Sequence, residues 1–299
     1  MTLVPPFLKK GDTILIIGTA RARNRESLQF AFDTLKHWGF TLECGPNLFC
    51  VHHQFAGTDE QRAHDLQWAI NHPTAKAVLI AGGGYGTLRI IDQINFKPLR
   101  KFPKWFAGYS DTTVLHARLT KLGIACIHST MAFQFAKHEG ATLSLKQLLT
   151  GKKTNYRVAA HPLNRNGKAE GEVIGGNLSL IYALSGSSDD LQTKNKILFI
   201  EDLDEQLYHL DRMMLQLKRS GKLKQLKGLV VGGMSDMKDN VVPFGKTAEE
   251  IVLDAVKEYS YPVCFNFPAG HIEQNMALYL GKKASFTVTD KQISLHYLS

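Results

Sequence analysis

Over the first 135 positions, apolar residues follow two rhythms. Short unbroken runs at 12–18, 77–81 and 105–107 are too brief for helices and read as strands; residues 41–44 add another. Between them, residues 26–38 put Leu28, Ala31, Phe32 and Leu35 on one helical face, with Gly39 as the stop. Residues 59–71 repeat the pattern with Ala63, Leu66 and Ile70, and residues 87–94 read as a further helix. A strand that is apolar along its whole length is buried on both faces. Alternation of such strands with helices predicts an α/β fold, a parallel sheet covered on both sides.

Beyond about residue 135 the pattern changes. Residues 137–170 are polar, basic and rich in Gly, Asn and Lys. Strands are then expected at 172–174, 196–200, 228–231, 263–265 and 284–288, with helices at 209–219 and 247–258. This half reads as mixed α/β around a curved sheet. The expected organisation is a domain over 1–140, a crossover linker over 141–168, and a second domain over 169–299. No internal repeat or low-complexity tract is visible.

Composition narrows the class without naming a function. The chain has 299 residues, 44% hydrophobic and 21% charged, which suits a soluble globular protein of one or two domains. A net charge of +9 favours anionic partners. The basic residues are dispersed, however, and Arg21, Arg23 and Arg25 form one of only a few short groups. No aromatic–basic ladder or zinc-finger spacing accompanies them, so a solvated basic surface is expected rather than nucleic-acid binding. The four cysteines lack C-x-x-C pairing; Cys126 and Cys264 read as buried thiols in a reducing compartment. No stretch reaches the roughly 18 apolar residues of a membrane span, and residues 1–10 resemble no signal peptide. A cytoplasmic location without membrane association is the expectation.

Chemistry enters at residues 106–113, Phe-Ala-Gly-Tyr-Ser-Asp-Thr-Thr. An apolar run ends at Gly108 and an amphipathic segment begins at Val114, so Ser110 stands at the apex of a strand–turn–helix. Backbone N–H groups at such a helix start stabilise developing negative charge, as a nucleophile requires. The plain alternative is that Ser110 or Asp111 is a helix N-cap. A second turn, Gly82-Gly-Gly-Tyr-Gly-Thr87, also follows a strand and opens a helix. It is neither a Walker A loop nor a good dinucleotide fingerprint. Phosphate binding, oxyanion or substrate-backbone contact through Gly83, Gly84 and Tyr85, and simple turn geometry all remain open.

A serine nucleophile needs a base and a carboxylate that orients it. Among twelve histidines, His128 follows a short apolar run and is one candidate. His116 and His209 read as helix residues without a special setting. His271 ends an apolar strand that runs into a loop bounded by Pro268 and Gly270, where α/β sites are built. Glu201 emerges from the end of the run at 197–200. Asp202 and Asp204 crowd it, and their repulsion implies that some are solvated while one has a partner.

Together these segments resemble the LD-carboxypeptidases, serine peptidases that include the muramoyltetrapeptide carboxypeptidases and the microcin-immunity peptidases. The resemblance runs from about residue 8 to 286. It is carried by Gly83-Gly-Tyr-Gly86, Gly108-Tyr-Ser-Asp111, Gly175-Gly-Asn-Leu178, the Glu201-Asp202 context with Tyr208 and Asp211-Arg212-Met213, and Gly270-His271 with Asn275 and Gly281. It implies an N-terminal Rossmann- or flavodoxin-like domain, a smaller β-rich C-terminal domain and a site between them. It also implies Ser110 as nucleophile, His271 as base, Glu201 as orienter, and an oxyanion hole from the Gly84 region and Asp111. The expected reaction is removal of the C-terminal D-alanine from a muropeptide tetrapeptide, in peptidoglycan recycling, by a homodimer without metal or cofactor. A microcin-like peptidyl-nucleotide is the alternative substrate; a nucleotide-binding protein using Gly82–Gly86 is the alternative of another class. Two positions depart from the family pattern. Many members carry arginine where this chain has Gly82, and Tyr279-Leu280 stands where proline often precedes the glycine matching Gly281.

Overall fold

The computed structural model describes residues 2–298. They form two compact units, Met1–Lys153 with Glu273–Tyr279, and Thr154–Ile272 with Leu280–Ser299.

The first unit runs β1 (Thr13–Ile17), α1 (Arg25–His37), β2 (Thr41–Cys44), α2 (Asp59–Asn71), β3 (Ala77–Ile80), α3 (Thr87–Ile90), β4 (Trp105–Gly108), α4 (Thr113–Lys121), β5 (Cys126–His128) and α5 (Glu139–Leu149). The five strands pair in parallel in the order 2-1-3-4-5, the doubly wound order of flavodoxin-like sheets. Every residue of β3, β4 and β5 is buried, as the unbroken apolar runs of β3 and β4 require. Helix α1 is capped by Asn24, whose side chain accepts from Ser27 N at 2.9 Å, and it buries the predicted face of Leu28, Ala31, Phe32 and Leu35. The helix expected over 87–94 is a single α-turn followed by a 3₁₀ turn, Ile91–Gln93. Strand order reverses between β1 and β3. The loops leaving their carboxyl ends, 18–24 and 81–86, therefore flank the crevice where open α/β sheets place ligands.

The second unit runs β6 (Asn155–Ala159), β7 (Gly167–Asn177), α6 (Leu178–Ala183), β8 (Ile197–Leu203), α7 (Leu207–Arg219), β9 (Gly228–Ser235), α8 (Ala248–Ala255) and β10 (Val263–Cys264). β11 (Leu278–Leu280) joins the first sheet beside β5; β12 (Lys283–Val288) and β13 (Gln292–Tyr297) complete the second, ordered 10-9-8-7-12-13-6. Long β7 serves two sheet types. Its C-terminal end pairs in parallel with β8, its N-terminal end antiparallel with β12. Burial follows: β8 and β9 are buried along most of their length, whereas β12 alternates. The parallel region is covered on both faces, and the antiparallel region on a single face.

The 141–168 segment expected to be a linker contains most of α5 and all of β6. Helix α5 buries Ala141, Leu145, Leu148 and Leu149; the lysines and glycines around it mask this face in the overall composition. Cys126 and Cys264 are buried, and burial pushes both thiols up. Among the described residues no helix is long and apolar enough to cross a membrane.

Candidate active site

In the first unit β4 leads through Tyr109, in extended backbone, to Ser110 at φ 61° and a 3₁₀ turn over Ser110–Thr112. A non-glycine residue in the left-handed region costs about 1–3 kcal/mol and persists only where the surroundings enforce it. Close packing of strand on helix does so here: a Cβ on Gly108 would stand 2.7 Å from Thr112 Oγ1. Tyr109 and Thr112, the residues that precede the 3₁₀ turn and α4, make no side-chain capping bond. Asp111 instead turns inward, 2% exposed, and its Oδ2 accepts from Thr87 N at 2.8 Å. Burial raises its pKa, against the hydrogen bonds from Thr87 and Gly86.

That bond ties the elbow to the glycine loop. A Cβ on Gly83 would lie 3.2 Å from Ser110 Cβ and 3.4 Å from its Oγ, so glycine there leaves space for the serine. Gly84, at φ 111°, takes a conformation that L side chains rarely adopt. Tyr85 is 44% exposed, its ring 6.1 Å from Phe55. Thr87 Oγ1 donates to Thr19 Oγ1 at 2.9 Å, joining the loop after β3 to the loop after β1. Ser110, Asp111, Gly83 and Gly84 thus converge at the carboxyl edge of one sheet.

In the second unit Glu201 and His271 are brought together across 70 positions. Glu201 is fully buried, and its Oε2 accepts from His271 N at 3.0 Å and lies 2.6 Å from His271 Nδ1. An ionised carboxylate only accepts, so Nδ1 carries the proton and Nε2 is left as the basic nitrogen. Ser235 Oγ donates to His271 O at 2.7 Å, a further tether. Burial alone would lower the His271 pKa, but the charge and hydrogen bond of Glu201, with Asp202 behind, leave it raised. Gly270 stands at φ 110°, and a Cβ there would meet Glu201 Cβ at 2.6 Å, so only glycine lets the loop pass this close.

The strand explains the crowded carboxylates. Successive residues of β8 point to opposite faces. Asp202 therefore turns away from Glu201, accepting from Asn177 Nδ2 and Ser179 N, both at 2.8 Å, and from Leu203 N at 2.9 Å. Burial and the Glu201 charge push Asp202 up to about 7. Both neighbours are thus buried and partnered, and it is Asp204 that lies exposed, paired with Lys238 at 2.5 Å. Between Ile200 and Asp202 the register with β9 shifts, β9 supplying one extra residue at Gly232–Gly233. Such bulges re-aim side chains beside sites.

Three further histidines have surroundings of their own. His128 is buried in β5, its Nε2 3.2 Å from Asn275 Oδ1 and its ring edge-on to Tyr109. Burial, with His128 nearby, pushes His116 down to about 3, so it is neutral inside α4. His209 lies 2.5 Å from Glu205. Sequence reasoning did not single out Asn177, Asp202, Ser235 or Thr19 as site residues; of these only Asn177 and Asp202 stand inside motifs that carry the resemblance.

Comparison with known proteins places the chain in a family. Residues 14–129 match the model of the LD-carboxypeptidase N-terminal domain and residues 170–286 that of the LD-carboxypeptidase C-terminal domain. The chain belongs to the LD-carboxypeptidase family and is a serine carboxypeptidase. It is 35% identical to a Bacillus subtilis (strain 168) protein named "Probable murein peptide carboxypeptidase", over 96% of this chain and 92% of that one. It superposes on the crystal structure of muramoyltetrapeptide carboxypeptidase from Oxalobacter formigenes with a TM-score of 0.88 at 28% identity, covering 96% and 99% of the two chains. The microcin C7 self-immunity protein MccF, solved in complex with aspartyl sulfamoyl adenosine, shares the fold at a TM-score of 0.86 and 22% identity, with both chains fully covered.

Proposed function

We propose that this carboxypeptidase hydrolyses the amide linking the C-terminal D-alanine of a muropeptide tetrapeptide, with Ser110, His271 and Glu201 as its triad. The observation that carries the reading is the 2.6 Å bond from the buried Glu201 carboxylate to His271 Nδ1. It supplies an oriented base with a raised pKa, for which a structural histidine has no need. The relatives named for murein peptides support the substrate class.

In this reading His271 Nε2 takes the proton of Ser110 Oγ as the oxygen attacks the scissile carbonyl. Glu201 holds the tautomer and stabilises the imidazolium. The N–H groups of Gly84 and Asp111 receive the oxyanion, and Gly83 and Tyr85 shape the surrounding wall. His271 then protonates the leaving D-alanine amine, and water resolves the acyl-enzyme. Peptidoglycan recycling in the cytoplasm, as a homodimer, is the setting this reaction suits. Ser110→Ala is expected to abolish D-alanine release while leaving the thermal midpoint within a few degrees of the parent; full retained activity would remove Ser110 from the mechanism.

MccF shares the fold, which makes a peptidyl-nucleotide the second substrate reading. Rates of D-alanine release and of acyl-sulfamoyl adenylate cleavage, compared side by side, separate the two. A nucleotide phosphate at Gly82–Gly86 is disfavoured: α3 spans four residues, and its first N–H already serves the Asp111 carboxylate.

A further inference from the structure

An enzyme that removes one residue from a peptide's C-terminus must hold a free carboxylate close to the bond it cuts. The carboxylate carbon stands three bonds from the scissile carbonyl carbon, about 4 Å away. Its receptor therefore has to border the nucleophile's own turn.

In the first unit that border is the pair of loops at the strand-order reversal. Arg21 N donates to Gly83 O at 3.3 Å, so the loops after β1 and β3 run side by side. Two residues on, the Arg23 guanidinium fills the space beside Gly82. A Cβ at 82 would overlap Nε and stand 3.1 Å from Cζ and Nη2. The guanidinium stacks on Phe133, Cζ 3.8 Å from the ring centroid. Burial and then Arg21 lower its pKa, and the neighbouring Tyr109, the residue before Ser110, acts in the opposite sense. Its Nε is buried without an acceptor, and no carboxylate of the described residues figures among its electrostatic neighbours. Arg23 also lines an open cavity with Asn24, Phe49 and Val51. A half-buried cation stacked in place with no anion is costly unless an anion arrives.

We propose that Arg23 receives the C-terminal carboxylate of the peptide substrate, and that glycine at 82 provides the room its guanidinium needs. The proposal rests on the carboxypeptidase reading above and adds the residue that makes the enzyme an exopeptidase. The positive charge that an arginine at 82 would bring is supplied from the neighbouring loop.

The test uses two L,D-tetrapeptides, one ending in free D-alanine and one in D-alanine amide, with three full-length enzymes: parent, Arg23→Met and Arg23→Lys. Met keeps an apolar stem over Phe133; Lys keeps the charge. The parent is expected to prefer the acid. Arg23→Met should raise KM for the acid about tenfold or more, leave the amide within about twofold, and leave labelling of Ser110 by a fluorophosphonate at the parental rate. Arg23→Lys should recover some of the preference. An Arg23→Met enzyme that keeps the parental preference for the acid overturns this assignment alone. Equal losses on acid and amide with slowed labelling overturn it too, since they mark a structural role. A parent enzyme that labels at Ser110 but cleaves neither peptide overturns the substrate reading, and this assignment with it.

Discussion

Ser110 and His271 are both held in place by their surroundings, but by opposite means. Ser110 is set by its backbone: a left-handed φ of 61° at the end of β4, enforced by close strand–helix packing at Gly108 and Thr112. His271 is set by hydrogen bonds: Glu201 takes both its N–H and its Nδ1, and Ser235 holds its carbonyl. The first device stores strain within a few consecutive residues. The second stores none locally but needs β8, the bulge in β9 and the 270–271 loop all in place. A residue set by strain keeps its place when its own hydroxyl is lost, whereas a residue set by hydrogen bonds loses its hold when one acceptor is changed.

Glu201→Gln breaks the second device most sharply. The amide oxygen can still accept from His271 N and Nδ1, but the side chain no longer carries the charge that stabilises the imidazolium formed as Ser110 loses its proton. A fall in kcat/KM of about 10⁴ is expected, the scale seen when an orienting carboxylate becomes an amide. A loss below tenfold, measured on D-alanine release, would show that the pair is structural and that another group serves as base.

The first device is probed by comparing Ser110→Gly with Ser110→Ala. Both lack the hydroxyl, but only alanine retains the Cβ that makes the left-handed φ unfavourable. Ser110→Gly should be the more stable by about 1 kcal/mol, read as a difference in chemical-denaturation midpoint at unchanged slope. Equal stability would mean that the elbow carries no strain and that the contrast with His271 is one of appearance.

The same contrast explains what could be read from the chain. The elbow is legible in eight consecutive residues, 106–113, because strand end, turn and helix start are all local signals. The parallel sheet is legible for the same reason: β1, β3 and β4 are short apolar runs that must be covered on both sides. The pairing of Glu201 with His271 has no local signal, and only the resemblance joined them. The bulge at Gly232–Gly233 and the partners of Asp202 depend on register, which composition does not carry. Helix α5 hides behind lysines, and β6 and β13 do alternate but are only five and six residues long. The return of 273–279 to the first unit is fixed by distant packing: the Tyr279 ring lies 5.1 Å from Trp105, and its hydroxyl donates to Leu148 O at 2.5 Å. Arg23 shows its importance only once the space beside Gly82 is seen in three dimensions.

The smallest effect is also the finest probe of how His271 is held. Its folded pKa is raised above the ordinary value of 6.5 despite burial, by Glu201 first and Asp202 second. In the proposed triad only neutral His271 accepts the serine proton, so the rising limb of kcat/KM against pH should lie above 6.5. In stability terms the sign is opposite: the imidazolium–carboxylate pair contributes fully below 6.5 and is lost as pH climbs through the raised value. Asp202, itself pushed up to about 7 by burial and by Glu201, supplies the more distant of these charges. Asp202→Asn removes it and leaves Glu201 in place. The limb should then move to lower pH, with the high-pH plateau within about threefold of the parent. A limb that keeps its position would mean that Glu201 alone sets the base, and that the Asn177 and Ser179 bonds to Asp202 serve only to fasten α6 to β8.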